Sequence, residues 1–87
     1  MNDDDLSFIM GSTRRQDVLL ALSQSKMTVG QLSNVTNINP NMLYRIVREL
    51  TERELLAHND VARYKIYRTT EKGIELLESI GVIKWIN

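Results

Sequence analysis

A chain of 87 residues, 43% apolar and 25% charged, is sized for one domain around one core, and its eleven basic residues balance eleven acidic ones. With no cysteine and a single histidine it lacks the side chains for disulfides, thiol catalysis or cysteine-ligated zinc, so neither a metal nor another cofactor is expected. No run approaches the roughly 18 apolar residues of a membrane span, and MNDDDLSF carries acid where a secretory signal carries base; a soluble cytoplasmic protein with no membrane partner is the expectation.

Residues 1–11 read as an acidic N-terminal arm prone to fraying, because Asp3, Asp4 and Asp5 repel one another and Gly11 interrupts the pattern. Ser12 can then cap STRRQDVLLALSQ, a helix with Val18, Leu19 and Leu22 on its apolar stripe and Arg14, Arg15 and Asp17 left to solvent. In TVGQLSNVT, Thr28 and Gln31 stand at capping-box spacing ahead of Val29, Leu32 and Val35, which predicts a two-turn helix. A third helix starts sharply in INPNMLYRIVRELTEREL, with Asn39 as its cap and Pro40 in the first turn, where a missing N–H costs nothing. At about 100° per residue, Leu43, Ile46, Val47, Leu50 and Glu54 share its inner side, and Asn41, Tyr44, Arg45, Arg48 and Glu52 its outer side. With Ile38 tucked into the angle between them, the second and third helices make a helix-turn-helix.

The period changes after Leu55, Leu56 and Ala57. In YKIYRT, Tyr64, Ile66 and Arg68 alternate with Lys65 and Tyr67, so a two-stranded ribbon is expected, its turn near Asn59 and Asp60. Thr70 opens TEKGIELLESIG, a last helix with Ile74, Leu77 and Ile80 on one side and Gly81 to end it. The tail, residues 81–87, is apolar again, and Val82, Ile83, Trp85 and Ile86 call for packing or for a second copy of the chain.

The order of elements, an α+β arrangement of three helices, a β-hairpin wing and a C-terminal helix over residues 12–80, resembles the winged helix-turn-helix domain of small bacterial and archaeal regulators of the MarR and ArsR classes. The likeness rests on MTVGQLSNVTNINPNMLYRIVRELTERELL and on YKIYRTTEKGIELLE, which is similar to the family's tyrosine-rich strand and following helix start. It implies that the helix beginning at Asn39 is the recognition helix and that the loop from Asn59 to Arg63 is the wing. Two departures stand out. Glu54 occupies a position where the family often has glycine, and a left-handed cap there costs a non-glycine residue about 1 kcal/mol. The wing also carries only Arg63 and Lys65 near its tip, which favours backbone contact over deep minor-groove insertion.

Duplex DNA is the expected partner, with Asn41, Tyr44, Arg45 and Arg48 reading bases in a major groove wide enough for a helix. Thr28, Gln31, Asn39, Arg63, Lys65 and Arg68 are the candidates for DNA backbone contact. Each has a plainer reading: Arg45 and Arg48 pairing with Glu49 or Glu52, Tyr44 packing at the core edge, Thr28 and Gln31 only capping, and the hairpin cations forming a solvated face. Arg14 and Arg15 sit unfavourably in a first helical turn, and His58 reads as a surface residue of the wing. Residues 40–68 hold six basic and four acidic side chains and residues 1–20 two basic and four acidic, so the zero total conceals a gradient. A homodimer is expected through Leu77, Ile80, Val82, Ile83, Trp85 and Ile86, since one weakly basic domain binds a single site poorly. No nucleophile, base and orienting group fall at motif spacing, so no enzyme is expected, and no effector domain or small effector is specified. The alternative is a winged-helix protein-interaction module that never meets DNA.

Overall fold

The computed structural model describes residues 3–81. In chain order these form α1 (Asp3–Met10), α2 (Thr13–Gln24), α3 (Val29–Thr36), α4 (Pro40–Glu52), β1 (Leu56–Val61), β2 (Tyr64–Thr69) and α5 (Glu71–Ser79). This is the expected α+β winged helix-turn-helix, with one further helix in front.

Side-chain caps start four of the helices where the sequence places them. Ser12 Oγ accepts the Arg15 N–H at 3.2 Å, Asn39 Oδ1 accepts that of Asn41 at 2.8 Å, and Thr70 Oγ1 accepts that of Gly73 at 3.1 Å. At α3 the box is reciprocal: Gln31 N–H donates to Thr28 Oγ1 at 3.2 Å, and Thr28 N–H donates to Gln31 Oε1 at 2.9 Å. Between α3 and α4 the chain turns through left-handed Asn37 (φ 59°), Ile38 is buried, and the Ser33 hydroxyl holds the Ile38 carbonyl at 2.7 Å. The Ile38 N–H also donates to Thr36 Oγ1 at 3.3 Å, so the angle between the two helices is fixed by one apolar plug and two hydrogen bonds to α3 side chains.

Leu43, Ile46, Val47 and Leu50 are the buried face of α4 and pack with Val18, Leu19 and Leu22 of α2, Leu32 of α3, Leu55, Leu56, and Leu76 and Leu77 of α5. α4 closes through a left-handed residue despite the missing glycine. Glu54 takes φ 63°, the Leu55 N–H reaches back to the Leu50 carbonyl and the Glu54 N–H to the Thr51 carbonyl, both at 2.9 Å. Glu54 therefore lies beyond the helix and exposed, not on its inner face.

The hairpin pairs Leu56 with Thr69 through to Val61 with Tyr64, leaving Ala62 and Arg63 as a two-residue turn. The turn lies beyond Asn59 and Asp60, both of which sit within β1, and its positive φ falls on Ala62 (56°). Register wins over local turn preference here: buried Leu56 and Thr69 anchor the base of the ribbon, and Met27 pairs with Tyr67 by backbone hydrogen bonds of 3.0 and 2.8 Å. α5 then lies so close to that base that a Cβ on Gly73 would stand 2.6 Å from both the Leu55 carbonyl oxygen and Thr69 Cγ2. Its buried side is Gly73, Leu76 and Leu77, with Ile74 only half-buried.

The segment read as a fraying acidic arm is helical over Asp3–Met10 and docked, with Ile9 fully buried. Its charge is answered from far along the chain. Asp5, almost entirely buried, pairs with Arg53 at 3.0 Å and Lys72 at 3.2 Å. Burial alone would raise the Asp5 pKa, but hydrogen bonds from Arg53 and Lys72 together with their charges hold it below the ordinary carboxylate value. The Phe8 ring is sandwiched between the guanidinium groups of Arg15 and Arg53, 3.6 and 3.8 Å from its centroid. Arg15, expected in solvent, is instead half-buried, donating to the Phe8 carbonyl at 3.0 Å and lying 3.8 Å from Glu49.

Candidate nucleic-acid interface

α4 presents Asn41, Tyr44, Arg45 and Arg48 on one exposed side, and Tyr44 is 59% exposed. A 3.6-residue period puts these positions opposite the buried Leu43, Ile46, Val47 and Leu50, so anchoring the inner face orients the outer one. Neither Arg45 nor Arg48 forms an ion pair among the described residues. Glu49, one of their expected partners, faces Arg15 instead. Seven of the described cations fall into two sets. Arg15, Arg53 and Lys72 are engaged around α1, whereas Arg45, Arg48, Arg63 and Lys65 are without an ion-pair partner on α4 and the wing.

Between α4 and the wing runs an open cleft of about 450 Å³, with Tyr44 on one wall, Arg63, Tyr64, Lys65 and Tyr67 on the other, and the start of α3 at its end. The sequence pattern does not mark Tyr64 and Tyr67 as site residues. Their signal was present in the YKIYRT alternation, but the wall they form exists only once the ribbon folds toward α4. Burial first, then the nearness of Tyr44 and Asp60, raises the Tyr67 pKa. His58 is half-buried on β1, its ring 5.3 Å from that of Tyr67 and its Nδ1 3.2 Å from Asp60 Oδ1, so it is only partly a surface residue of the wing.

Other sequence-predicted positions fall differently. Thr28, Gln31 and Asn39 use their side chains as caps, which leaves the helix starts themselves beside the α4 surface. Alternation along the strand puts Arg68 on the opposite side of the ribbon from Lys65 and Tyr67, and Arg68 is not among the residues that line the cleft. Leu77 is fully buried within its own chain and cannot also meet a partner; α5 spends it on the core, and Ile80 is the half-exposed apolar residue of that end. Val82, Ile83, Trp85 and Ile86 lie outside the described residues. Among the described residues no group of three His, Asp or Glu side chains gathers to hold a metal, and no helix is long and apolar enough to cross a membrane.

No protein-family model and no curated protein matches the chain. Solved structures do. The homodimeric winged helix-turn-helix DNA-binding domain Mb0332 of Mycobacterium bovis, a possible ArsR-family regulator, superposes with a TM-score of 0.78 at 19% identity over 88% of this chain and 72% of its own. BpsR of Bordetella bronchiseptica, whose DNA binding is regulated by 6-hydroxynicotinic acid, gives 0.76 at 24% identity over 82% and 53%. The adhesin competence repressor of Streptococcus pyogenes gives 0.73 at 19% identity over 79% and 53%, so this chain spans about half the length of these last two proteins. The fold is a winged helix-turn-helix resembling that of the MarR- and ArsR-family transcriptional regulators.

Proposed function

We propose that the chain is a cytoplasmic, sequence-specific regulator of transcription that binds duplex DNA, with α4 in the major groove and the wing on the flanking backbone. The observation that carries this reading is the pair Arg45 and Arg48, exposed and without an ion-pair partner on the face that the core turns outward. An arginine so placed can grip guanine O6 and N7 with two hydrogen bonds, and Asn41 can do the same for adenine. Tyr44, Tyr64 and Tyr67 line the cleft with Arg63 and Lys65, a combination suited to a sugar-phosphate strand. The starts of α3 and α4 add backbone N–H donors and the positive ends of their dipoles.

Binding acts by occupying the site, and a symmetric dimer covers two half-sites. The Mycobacterium bovis domain of the same fold is homodimeric. In this chain the apolar end of α5 at Ile80 and the tail that follows supply the surface. Sedimentation at micromolar concentration tests the dimer, and a monomer there refutes it.

Titration of duplex across salt concentrations tests the DNA reading. With Arg63 and Lys65 of each protomer on phosphates, log K falls against log salt with a slope of about −3.6 for a dimer. Alanine at both Arg45 and Arg48 weakens specific binding by about 2 to 6 kcal/mol and leaves the fold intact. A wild-type protein that ignores duplex at every salt concentration points instead to a protein-interaction module.

A further inference from the structure

The first turn of α4 contains an apolar side chain among polar ones. Met42 follows Asn41 and sits three residues before Arg45, so it borders the outer face of the helix and does not belong to the fully buried one. It is half-buried, packed against the core, and it lines a shallow surface depression with Asn39, Asn41 and Arg45. Asn39 is committed to its cap, whereas the side-chain amide of Asn41 and the guanidinium of Arg45 make no hydrogen bond or ion pair among the described residues. The depression is therefore lined by a methionine packed against the core and by two exposed groups suited to base edges, beside the capping Asn39.

In the major groove the one apolar feature on a base-pair edge is the C5-methyl of thymine. We propose that Met42 is a specificity-determining residue that receives a thymine methyl, while Asn41 beside it reads an adenine, so that the first turn of α4 selects a step containing a T·A pair. This rests on the DNA-reading proposal above. It adds a contact for which the arginines have no chemistry: discrimination of thymine from an otherwise identical pyrimidine. A thioether side chain adapts its shape to such a target, and its stem is already fixed, so little freedom is lost on contact.

Removing a single methyl tests it. Duplexes recovered by the wild-type protein from a randomised pool are resynthesised with deoxyuridine at one thymine position at a time, which deletes the methyl and keeps every hydrogen-bonding group. One position per half-site is expected to lose about fourfold in affinity, the worth of one buried methyl. Met42→Ala should bind thymine and uracil duplexes equally at that position, and Met42→Leu should restore the difference. A residue with only a structural role would weaken both duplexes alike and leave their ratio unchanged. Sequence-selective binding by the wild type with no methyl-sensitive position overturns the Met42 inference alone. No duplex binding by the wild type overturns it together with the DNA reading. If Met42→Ala folds poorly, the uracil scan of the wild type can still overturn the inference, and Met42→Leu, which keeps the volume, carries the assignment to this residue: an unchanged thymine preference in Met42→Leu supports it and a lost one refutes it.

Discussion

Gly73→Ala is the substitution that most sharply separates this packing from helix propensity. On propensity alone, alanine for glycine inside α5 would stabilise the protein by about 1 kcal/mol. The structure reverses the sign. The added Cβ would stand 2.6 Å from the Leu55 carbonyl oxygen and 2.6 Å from Thr69 Cγ2, and the same carbonyl accepts the Thr70 N–H at 3.0 Å. Neither neighbour can yield cheaply: the first is backbone at the start of the wing, and the second belongs to a buried threonine whose hydroxyl donates to the Leu19 carbonyl at 2.7 Å. Overpacking of this kind reaches about 3 kcal/mol, so the net expectation is a loss of about 2 kcal/mol. For a domain of this size that lowers Tm by roughly 8 to 16 °C. Urea unfolding should show the midpoint falling with an unchanged slope. A variant as stable as wild type, or more stable, would mean that α5 does not approach the ribbon as described.

Three further substitutions probe other parts of the account. Gly30→Ala meets nothing closer than Thr28 Oγ1 at 3.9 Å, so in the same urea assay it should stabilise by about 0.5 to 1 kcal/mol, opposite in sign to Gly73→Ala. Glu54→Gly relieves a left-handed cap worth about 1 to 2 kcal/mol and frees the unfolded chain by about 0.4 to 1; a net gain of about 0.5 kcal/mol should appear as a higher melting temperature. Asp5→Asn removes the anion between Arg53 and Lys72 and should cost about 2 kcal/mol at pH 7. Because the folded pKa of Asp5 lies below its unfolded value, its contribution is complete above about pH 4 to 5 and is lost as pH falls through the folded pKa. Stability curves of wild type and Asp5→Asn should therefore converge in acid, and parallel curves would refute the pair.

Local signals carried most of the fold. Caps at Ser12, Thr28, Asn39 and Thr70, and the period of α4, depend on residues within one or two turns, and a sequence displays those directly. Long-range partners were hidden. Three consecutive aspartates look solvated until Arg53 and Lys72, distant in sequence, close on Asp5, and Arg15 looks free until Phe8 and Glu49 are beside it. The ribbon turn was misplaced because Asn59 and Asp60 favour turns, while register is set at the other end by Leu56, Thr69 and the Met27 bridge. For the candidate site, the period of α4 is enough to put Asn41, Tyr44, Arg45 and Arg48 on one exposed face, whereas the cleft wall of Tyr64 and Tyr67 requires the ribbon's orientation. The same alternation that named Arg68 puts it on the other side of the ribbon from Lys65.

The central claim is that the outer face of α4 reads base sequence, and selection from a randomised duplex pool measures it directly. Wild type should enrich one motif whose half-sites contain guanine, and Arg45→Ala with Arg48→Ala should relax the preference at the guanine positions while the flanking preference persists. A wild-type pool that emerges without any enriched sequence, or a variant that enriches the same motif unchanged, would contradict the claim.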